Sequence, residues 1–209
     1  MTGLFGSSAG GSQAAETYGA LVIAAGRSRP LAGRKLTAAA EAAETMLDEY
    51  GFDVETAAAE VGEALHERLA GLAVTDAQIR LVVIVGRLGV GCGHDLAADV
   101  GEALDHAVPG LAQAIRRAQL DAGYSRSVFE SPACGWIGGT LVLTLPDDVT
   151  GVQAAIQEIG AIILDVLDEL SEDAGEVGDD DTGAGAVVHD LRPKVVPLNR
   201  GPDDDPQHP

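Results

Sequence analysis

The chain has 209 residues, of which 46% are hydrophobic and only 3% aromatic, and its formal net charge at pH 7 is −20. This length predicts one substantial core with terminal tails, and the core must be built mainly from Ala, Val, Leu and Ile. The negative charge excludes general binding to a nucleic-acid backbone, because contacts to phosphate need Lys and Arg.

Apolar runs alternate with helical patterns along the middle of the chain. In chain order, the patterns predict a strand over 19–25, a helix over 36–49, a strand over 52–56, a helix over 61–71, a strand over 80–86, helices over 96–106 and 110–119, a strand over 140–145 and a helix over 149–170. Strands separated by helices predict parallel βαβ units and an α/β fold, a three-layer α/β/α sandwich with a mostly parallel sheet. Ligands bind beyond the carboxyl ends of such strands, so the loops after residues 25, 86 and 145 should form one functional edge.

Composition separates this body, residues 17–170, from two terminal segments. Residues 1–16 are rich in Gly, Ser and Ala, which is typical of a flexible segment. Residues 171–209 hold ten acidic and three basic residues, with an apolar island between two acidic clusters. We expect an acidic, disordered tail, and a tail that docks on a protein partner is the alternative.

The strand over 80–86 runs into a glycine-rich loop, GRLGVGCGHD, at residues 86–95. Its candidate ligand-binding glycines are Gly86, Gly89, Gly91 and Gly93. A glycine-rich turn from a strand into a helix can present backbone amides to an anion. The alternative is that these glycines only permit a tight turn, since the loop has neither Gly-Lys-Ser/Thr nor an ordered Gly-x-Gly-x-x-Gly.

Cationic residues are concentrated just after the first predicted strand. Arg27, Arg29, Arg34 and Lys35 lie within nine residues, on the same predicted edge as Arg87. They can form weak surface pairs with neighbouring carboxylates or a site for an anionic ligand or partner segment. The acidic tail could also lie transiently over these cations.

Two cysteines, Cys92 and Cys134, are too few for a disulfide framework and indicate a reducing compartment. Together with His94 they could be imagined as zinc ligands, but a structural zinc site normally needs four ligands and neither loop has a paired motif. We predict no metal site from these residues. With no basic residue before Arg27 and no apolar run of spanning length, we expect a cytoplasmic protein that does not enter a membrane.

Three segments of the body carry a family resemblance. They are YGFDV at 50–54, HAVPGLAQAIRRAQL at 106–120 and GGTLVLTLP at 138–146. With them, residues 17–170 resemble the MogA/MoaB-type family of molybdenum cofactor biosynthesis, which includes the molybdopterin adenylyltransferases. The resemblance implies the molybdopterin-binding-domain type of α/β fold and a homo-oligomer, either a trimer or a hexamer made of two trimers. It also implies adenylyl transfer from ATP to molybdopterin with Mg²⁺, or at least binding of molybdopterin.

The family's glycine- and threonine-rich loop, followed by Pro-Arg-Asp, falls on the loop at residues 86–95. Arg87 and Leu88 stand there in place of small or hydroxylic residues. The family aspartate, which serves the metal and catalysis, falls on His94, and Asp95 follows one residue later. His94 and Asp95 are therefore the candidate catalytic positions that the resemblance implies.

Other family motifs fall on altered residues. The Asp-x-Ser-Gly motif falls on residues 37–40, which read Thr-Ala-Ala-Ala. The Thr-Pro-Arg motif falls on residues 124–126 and keeps Arg126, whereas the Ser-Arg pair falls on Glu130 and Ser131. The Pro-Gly-Ser-Pro turn begins at Pro146.

Asp147 and Asp148 follow Pro146 in that turn. Their two carboxylates would repel a phosphate unless a metal lies between them. The altered motifs predict a divergent, catalytically degenerate protein that acts through ligand binding or protein interaction. The alternative is an active molybdopterin adenylyltransferase or molybdopterin-binding protein, in which case molybdopterin, ATP and Mg²⁺ are its expected ligands.

Overall fold

The computed structural model describes residues 17–26, 33–75, 78–89 and 95–176. The strands are β1 (Gly19–Gly26), β2 (Asp53–Glu60), β3 (Ile79–Gly86), β4 (His106–Ala107), β5 (Cys134–Ile137) and β6 (Thr140–Pro146). The helices are α1 (Arg34–Glu49), α2 (Glu63–Thr75), α3 (Leu96–Ala103), α4 (Pro109–Asp121) and α5 (Val149–Glu176), and a 3₁₀ helix spans Ser125–Val128.

The six strands form one sheet in the order β2-β1-β3-β6-β5-β4. The strands β2, β1, β3 and β6 pair in parallel with one another, whereas β5 is antiparallel to β6 and β4 is antiparallel to β5. Helices cover both faces of this sheet. The predicted three-layer sandwich with a mostly parallel sheet is therefore confirmed, as an α/β fold.

The two short strands at one edge of the sheet were not predicted. The helix predicted over 96–106 ends at Ala103, and Leu104 already has an extended backbone. The next amide, that of Asp105, donates to the carbonyl of Trp136 at 2.8 Å. Pairing with β5 therefore replaces the last helical turn that the sequence pattern had suggested.

Two apolar clusters lie on the two faces of the sheet. The first cluster packs β1, β3 and β6 against α1, α4 and α5, and the second packs the other faces of these strands against α2 and α3. In β3, Leu81 and Val83 contribute to the first cluster, while Val82 and Ile84 contribute to the second. A strand that is covered on both sides must be apolar at every position, which explains the continuous Val/Ile-rich run.

The longest helix, α5, belongs to the first cluster. Its buried residues are Val152, Ala155, Ile156, Ile159, Ile163 and Leu167. Over Val149–Ser171 it is long and apolar enough to cross a membrane by length and composition, and it is the one such helix among the described residues. Its packing on the sheet accounts for part of that hydropathy, since these six residues face the protein interior.

Gly86 closes β3 where three elements meet. A Cβ atom on this residue would lie 2.5 Å from Leu96 Cδ2 and 2.9 Å from the carbonyl oxygen of Ala25. The second neighbour is the backbone of a paired strand, which cannot move without disturbing the sheet. Glycine is therefore required here by space.

We expect Gly86→Ala to lower the free energy of unfolding by about 1–3 kcal/mol, because overpacking forces the strand or Leu96 to shift. The matched control is Gly101→Ala in α3, where a Cβ meets nothing within 4 Å. That change should raise stability by up to about 1 kcal/mol, since alanine favours helix. Urea denaturation of both variants tests this, and equal stabilities would contradict it.

Candidate functional site

The strands β1, β3 and β6 end together. Ala25 pairs with Gly86, and Gly86 in turn pairs with Pro146, so the three carboxyl ends lie side by side at one edge. The loops after residues 25, 86 and 145 leave the sheet here, as the sequence predicted. We call this region the strand-end edge.

Some of the site residues predicted from the sequence lie within the described ranges and others lie outside them. Arg27, Arg29, Gly91, Gly93 and His94 lie outside the described residues, as does Cys92 of the imagined zinc site. Their assignments stay predictions. The predicted residues within the described ranges are Gly86, Arg87, Gly89, Asp95, Arg126, Pro146, Asp147 and Asp148, and they are placed as follows.

The first residues of the glycine-rich loop differ in their exposure at the strand-end edge. Arg87 is exposed, whereas the side chain of Leu88 is 2% exposed and packs in the second apolar cluster. Gly89 has a φ of +99°, and a Cβ there would lie 3.1 Å from Glu130 Cγ. The loop therefore needs glycine at 89 both for its left-handed backbone and for its close approach to Glu130.

Glu130 is the most unusual side chain at this edge, because it is a carboxylate that is only 2% exposed. Tyr124 donates its hydroxyl to the carboxylate, at 2.9 Å from Oε2 and 3.1 Å from Oε1. Arg126 lies four residues earlier in the chain and forms an ion pair with Oε1 at 3.3 Å. An unpaired carboxylate at this depth would cost several kcal/mol, so these two partners make the burial possible.

The segment that carries these three residues is fixed to α4. Arg116 donates from Nε to the carbonyl of Ser127 at 3.3 Å and from an η-nitrogen to that of Val128 at 3.4 Å. Ser127 is buried and donates its hydroxyl to the carbonyl of Tyr124 at 2.9 Å. These hydrogen bonds tie the 3₁₀ helix to α4 and fix the position from which Tyr124 and Arg126 reach Glu130.

Burial also changes the proton affinities of this cluster. Desolvation raises the pKa of Glu130; the Tyr124 hydrogen bond and the Arg126 charge oppose this effect, and the charges of Asp147 and Asp148 add to it. The pKa of Tyr124 is raised as well, first by burial and then by its hydrogen bond to Glu130. The hydroxyl of Tyr124 therefore remains a hydrogen-bond donor at neutral pH.

The turn after β6 supplies the remaining charges. Asp148 caps α5, because its Oδ1 accepts from the amide of Gly151 at 3.2 Å. A Cβ on Gly151 would lie 2.7 Å from Pro146 Cγ and 3.2 Å from Tyr124 Cδ1, so the turn packs directly on Tyr124. Asp147 and Asp148 thus belong to the same charged cluster as Glu130.

A cavity of about 380 Å³ opens beside this cluster and is lined by Leu88, Gly89, Arg126, Phe129 and Glu130. Phe129 is 76% exposed, which leaves an aromatic ring at the mouth of the cavity. Two of the lining residues are predicted site residues, namely the candidate ligand-binding Gly89 and Arg126, the arginine that the Thr-Pro-Arg motif retains and that the resemblance implies as ligand-binding. A second cavity of about 450 Å³ lies between α1 and α5 and contains none of the predicted site residues.

Asp95 and Cys134 each make a structural contribution in the described residues, and the catalytic assignment of Asp95 stays a prediction. Asp95 is exposed and caps α3, accepting from the amide of Ala97 at 3.1 Å. Cys134 is buried in β5, and burial raises the pKa of its thiol to about 12. In the described parts of the chain, no three or more His, Cys, Asp or Glu side chains are grouped so that they could hold a metal ion.

Comparison of the fold with solved structures finds proteins of molybdopterin biosynthesis. The Mog protein of Mycobacterium ulcerans is 26% identical, with a TM-score of 0.64, and the match covers 74% of this chain and 99% of that one. A molybdopterin biosynthesis protein of Mycobacterium abscessus is 22% identical, with a TM-score of 0.66 over 74% and 97% of the two chains. The molybdopterin biosynthesis enzyme MoaB of Thermus thermophilus is 18% identical, with a TM-score of 0.63 over 75% and 98%. No protein-family model and no curated protein sequence matches the chain.

The raised pKa of Glu130 predicts how stability depends on pH. A raised pKa means that the folded state binds the proton more tightly than the unfolded state. Its contribution is therefore present below the ordinary pKa of glutamate and is lost as the pH rises through the raised value. We expect wild-type protein to lose stability relative to Glu130→Gln over that window, because glutamine does not titrate.

Urea denaturation of both proteins at a series of pH values measures this difference. The matched control is Glu41→Gln on the exposed face of α1, which removes one carboxylate without changing the buried cluster. A difference for Glu130→Gln that does not change with pH would contradict the raised pKa.

Proposed function

We propose that this chain, which belongs to the MogA/MoaB-type family of molybdenum cofactor biosynthesis proteins, is a catalytically degenerate member of it. It acts through binding of a molybdopterin-type ligand or through protein interaction, in the cytoplasm and as a homo-oligomer, a trimer or hexamer. The observation that carries the proposal is Glu130, a buried carboxylate that stands where the resemblance implies a serine of the Ser-Arg pair.

Glu130 changes what the strand-end edge can bind. Arg126 is the cation that the resemblance retains, and its guanidinium is already paired with Glu130. Asp147 and Asp148 contribute further negative charge close enough to raise the pKa of Glu130. A phosphate chain entering here meets three carboxylates and one arginine whose charge is shared, which disfavours its binding.

Magnesium does not resolve this conflict among the described residues. Phosphoryl transfer needs a metal held by carboxylates beside the phosphates. Magnesium beside a nucleotide is usually held by one or two carboxylates together with the phosphates. Among the described residues Asp95 and Asp148 could contribute, but each already uses one carboxylate oxygen to cap a helix, α3 and α5 respectively. This competition weakens their hold on a metal, which makes ATP with Mg²⁺ a poor fit to the described part of the edge.

One observation favours the alternative, an active molybdopterin adenylyltransferase. The ends of β1, β3 and β6 stay in register, and Gly86 and Gly89 keep the loop close to the edge. This geometry suits a ligand cradle even where side chains have changed. We rank this alternative second, because adenylyl transfer requires both the geometry and phosphate-binding side chains.

We expect the purified protein not to transfer adenylyl groups from ATP to molybdopterin, because the edge repels phosphate. Release of pyrophosphate from ATP in the presence of molybdopterin and Mg²⁺ is the measurement. Turnover that depends on molybdopterin and is abolished in Asp95→Ser would establish the alternative instead. Serine can still cap α3, so this variant separates a catalytic role of Asp95 from a structural one.

Removal of the extra charge should improve anion binding. We expect Asp147→Asn to tighten binding of inorganic triphosphate about fivefold at low salt, since one neighbouring like charge costs about 1 kcal/mol in water-like surroundings. The matched control is Asp53→Asn, an exposed carboxylate at the opposite end of the sheet. Calorimetry measures both affinities, and equal improvement in the two variants would show a general charge effect rather than a local one.

A further inference from the structure

The last part of α5 extends past the helices that flank it. Tyr50, which follows α1, packs its ring on Gly160, so α1 ends beside that point of α5.

The other flanking helix, α4, also stops short of the end of α5. Gln119 of α4 donates to the carbonyl of Gly151 at 3.1 Å. Pro109, the first residue of α4, is ten residues from Gln119, or about 15 Å at 1.5 Å per residue. Val166 and Leu170 lie about 22 and 28 Å along α5 from Gly151, beyond the reach of α4.

This projecting part of α5 carries an exposed apolar stripe. Ile162, Val166 and Leu170 follow one another at four-residue spacing and are 50%, 37% and 41% exposed. They make up half of the six large apolar side chains that are exposed in the described part of the chain. Because residues four apart are neighbours on a helix surface, the three form one continuous strip.

The helix beneath the stripe is anchored. Tyr18, just before β1, donates its hydroxyl to Asp168 Oδ1 at 2.7 Å and also lies 3.3 Å from Ser171 Oγ. On the inner side of the same helix, Ile163 and Leu167 are buried in the first apolar cluster. The stripe is therefore presented on a fixed surface and could be covered without rearrangement of the helix.

The charges around the stripe restrict what can cover it. Between Val149 and Glu176, α5 has no Lys, Arg or His, and its acidic residues are Glu158, Asp165, Asp168, Glu169, Glu172, Asp173 and Glu176. A second copy of α5 would bring like charges together, which is unfavourable. An apolar segment with positive charge fits the stripe better.

The chain itself contains such a segment. Residues 186–201, AVVHDLRPKVVPLNRG, hold seven Val, Leu and Ala residues, three basic residues and one acidic residue. This local balance of +2 contrasts with the −20 of the whole chain. Nine residues separate Glu176 from the segment, and they can span about 30 Å. Leu170 lies about 9 Å and Ile162 about 21 Å back along the helix from Glu176.

We infer that residues 186–201 dock on the Ile162, Val166 and Leu170 stripe of their own chain. The apolar side chains of the segment cover the stripe, and Arg192, Lys194 and Arg200 face the acidic residues of α5. The short tether gives the segment a high effective concentration at the stripe, so a weak contact suffices. The inference does not depend on the proposed function, because the stripe and the strand-end edge are different surfaces.

Trypsin cleavage after Lys194 in the full-length protein tests the inference. A segment that is docked about 80% of the time is cleaved about fivefold more slowly than when free. We expect this protection relative to a synthetic peptide of residues 186–201, and we expect Val166→Asp to remove it. The matched control is Ala161→Asp, an exposed position of α5 outside the stripe, which should keep the protection.

Circular dichroism of each variant checks that the fold is retained, and light scattering gives the mass. Protection that is independent of protein concentration, and that falls as salt rises, supports docking within one chain. Equal cleavage rates in wild type, Val166→Asp and the peptide would overturn the inference. So would a Val166→Asp variant that breaks an oligomer without changing cleavage, because the stripe would then be an interface between copies.

Discussion

Parallel pairing of β1, β3 and β6 in a common register is the constraint on which the rest of the structure depends. Ala25, Gly86 and Pro146 lie side by side, so the chain must leave the sheet three times at one edge. Because both faces of these strands are buried, a shift of register would expose apolar side chains and bury backbone ends. The glycine-rich loop, the start of α3 and the start of α5 are therefore brought together by the sheet, whatever side chains they carry.

The charged cluster at this edge is built around a buried carboxylate. Glu130 is buried because Tyr124 and Arg126 satisfy its oxygens, and Gly89 leaves room for its side chain. Because Arg126 forms an ion pair with this carboxylate, its guanidinium is less available to an anion from solution. Under the proposed function, the same contacts that stabilise the edge oppose the phosphate chemistry that the family resemblance implies.

The sequence was informative where a feature is periodic and incomplete where a feature depends on tertiary pairing. The four parallel strands and the five helices were predicted from apolar patterns. Burial on both faces of the sheet requires apolar side chains at regular positions, which makes these elements visible in the sequence. The two-residue β4 and four-residue β5 are too short for any pattern and exist through hydrogen bonds to each other and to β6.

The candidate site divides in a similar way. Alignment to family motifs placed Arg126, Pro146 and Gly86 at the edge, because those motifs mark turns at strand ends. It could not show that Leu88 is a core side chain or that Tyr124 pairs with Glu130, since both depend on burial. A tyrosine six residues before a glutamate is no recognisable signal in sequence, and the exposed ring of Phe129 has no local signature either.

The helix α5 begins at the strand-end edge and carries the exposed apolar stripe in its second half, so its length sets the distance between these two surfaces. Asp148 caps the helix at the strand-end edge, and Leu170 lies about 33 Å away along the helix axis. If residues 186–201 occupy the stripe, the acidic cluster at 203–205 follows Arg200 by three to five residues, which can span about 10–17 Å. Arg34 and Lys35 lie in the first turn of α1, which follows the loop after β1. With Arg200 beside Leu170, the cluster stays about 16 Å short of the strand-end edge along α5, whereas with Arg200 beside Ile162 it comes within about 4 Å of that level. The direction in which the segment docks therefore decides whether the tail can shield the cations of its own chain.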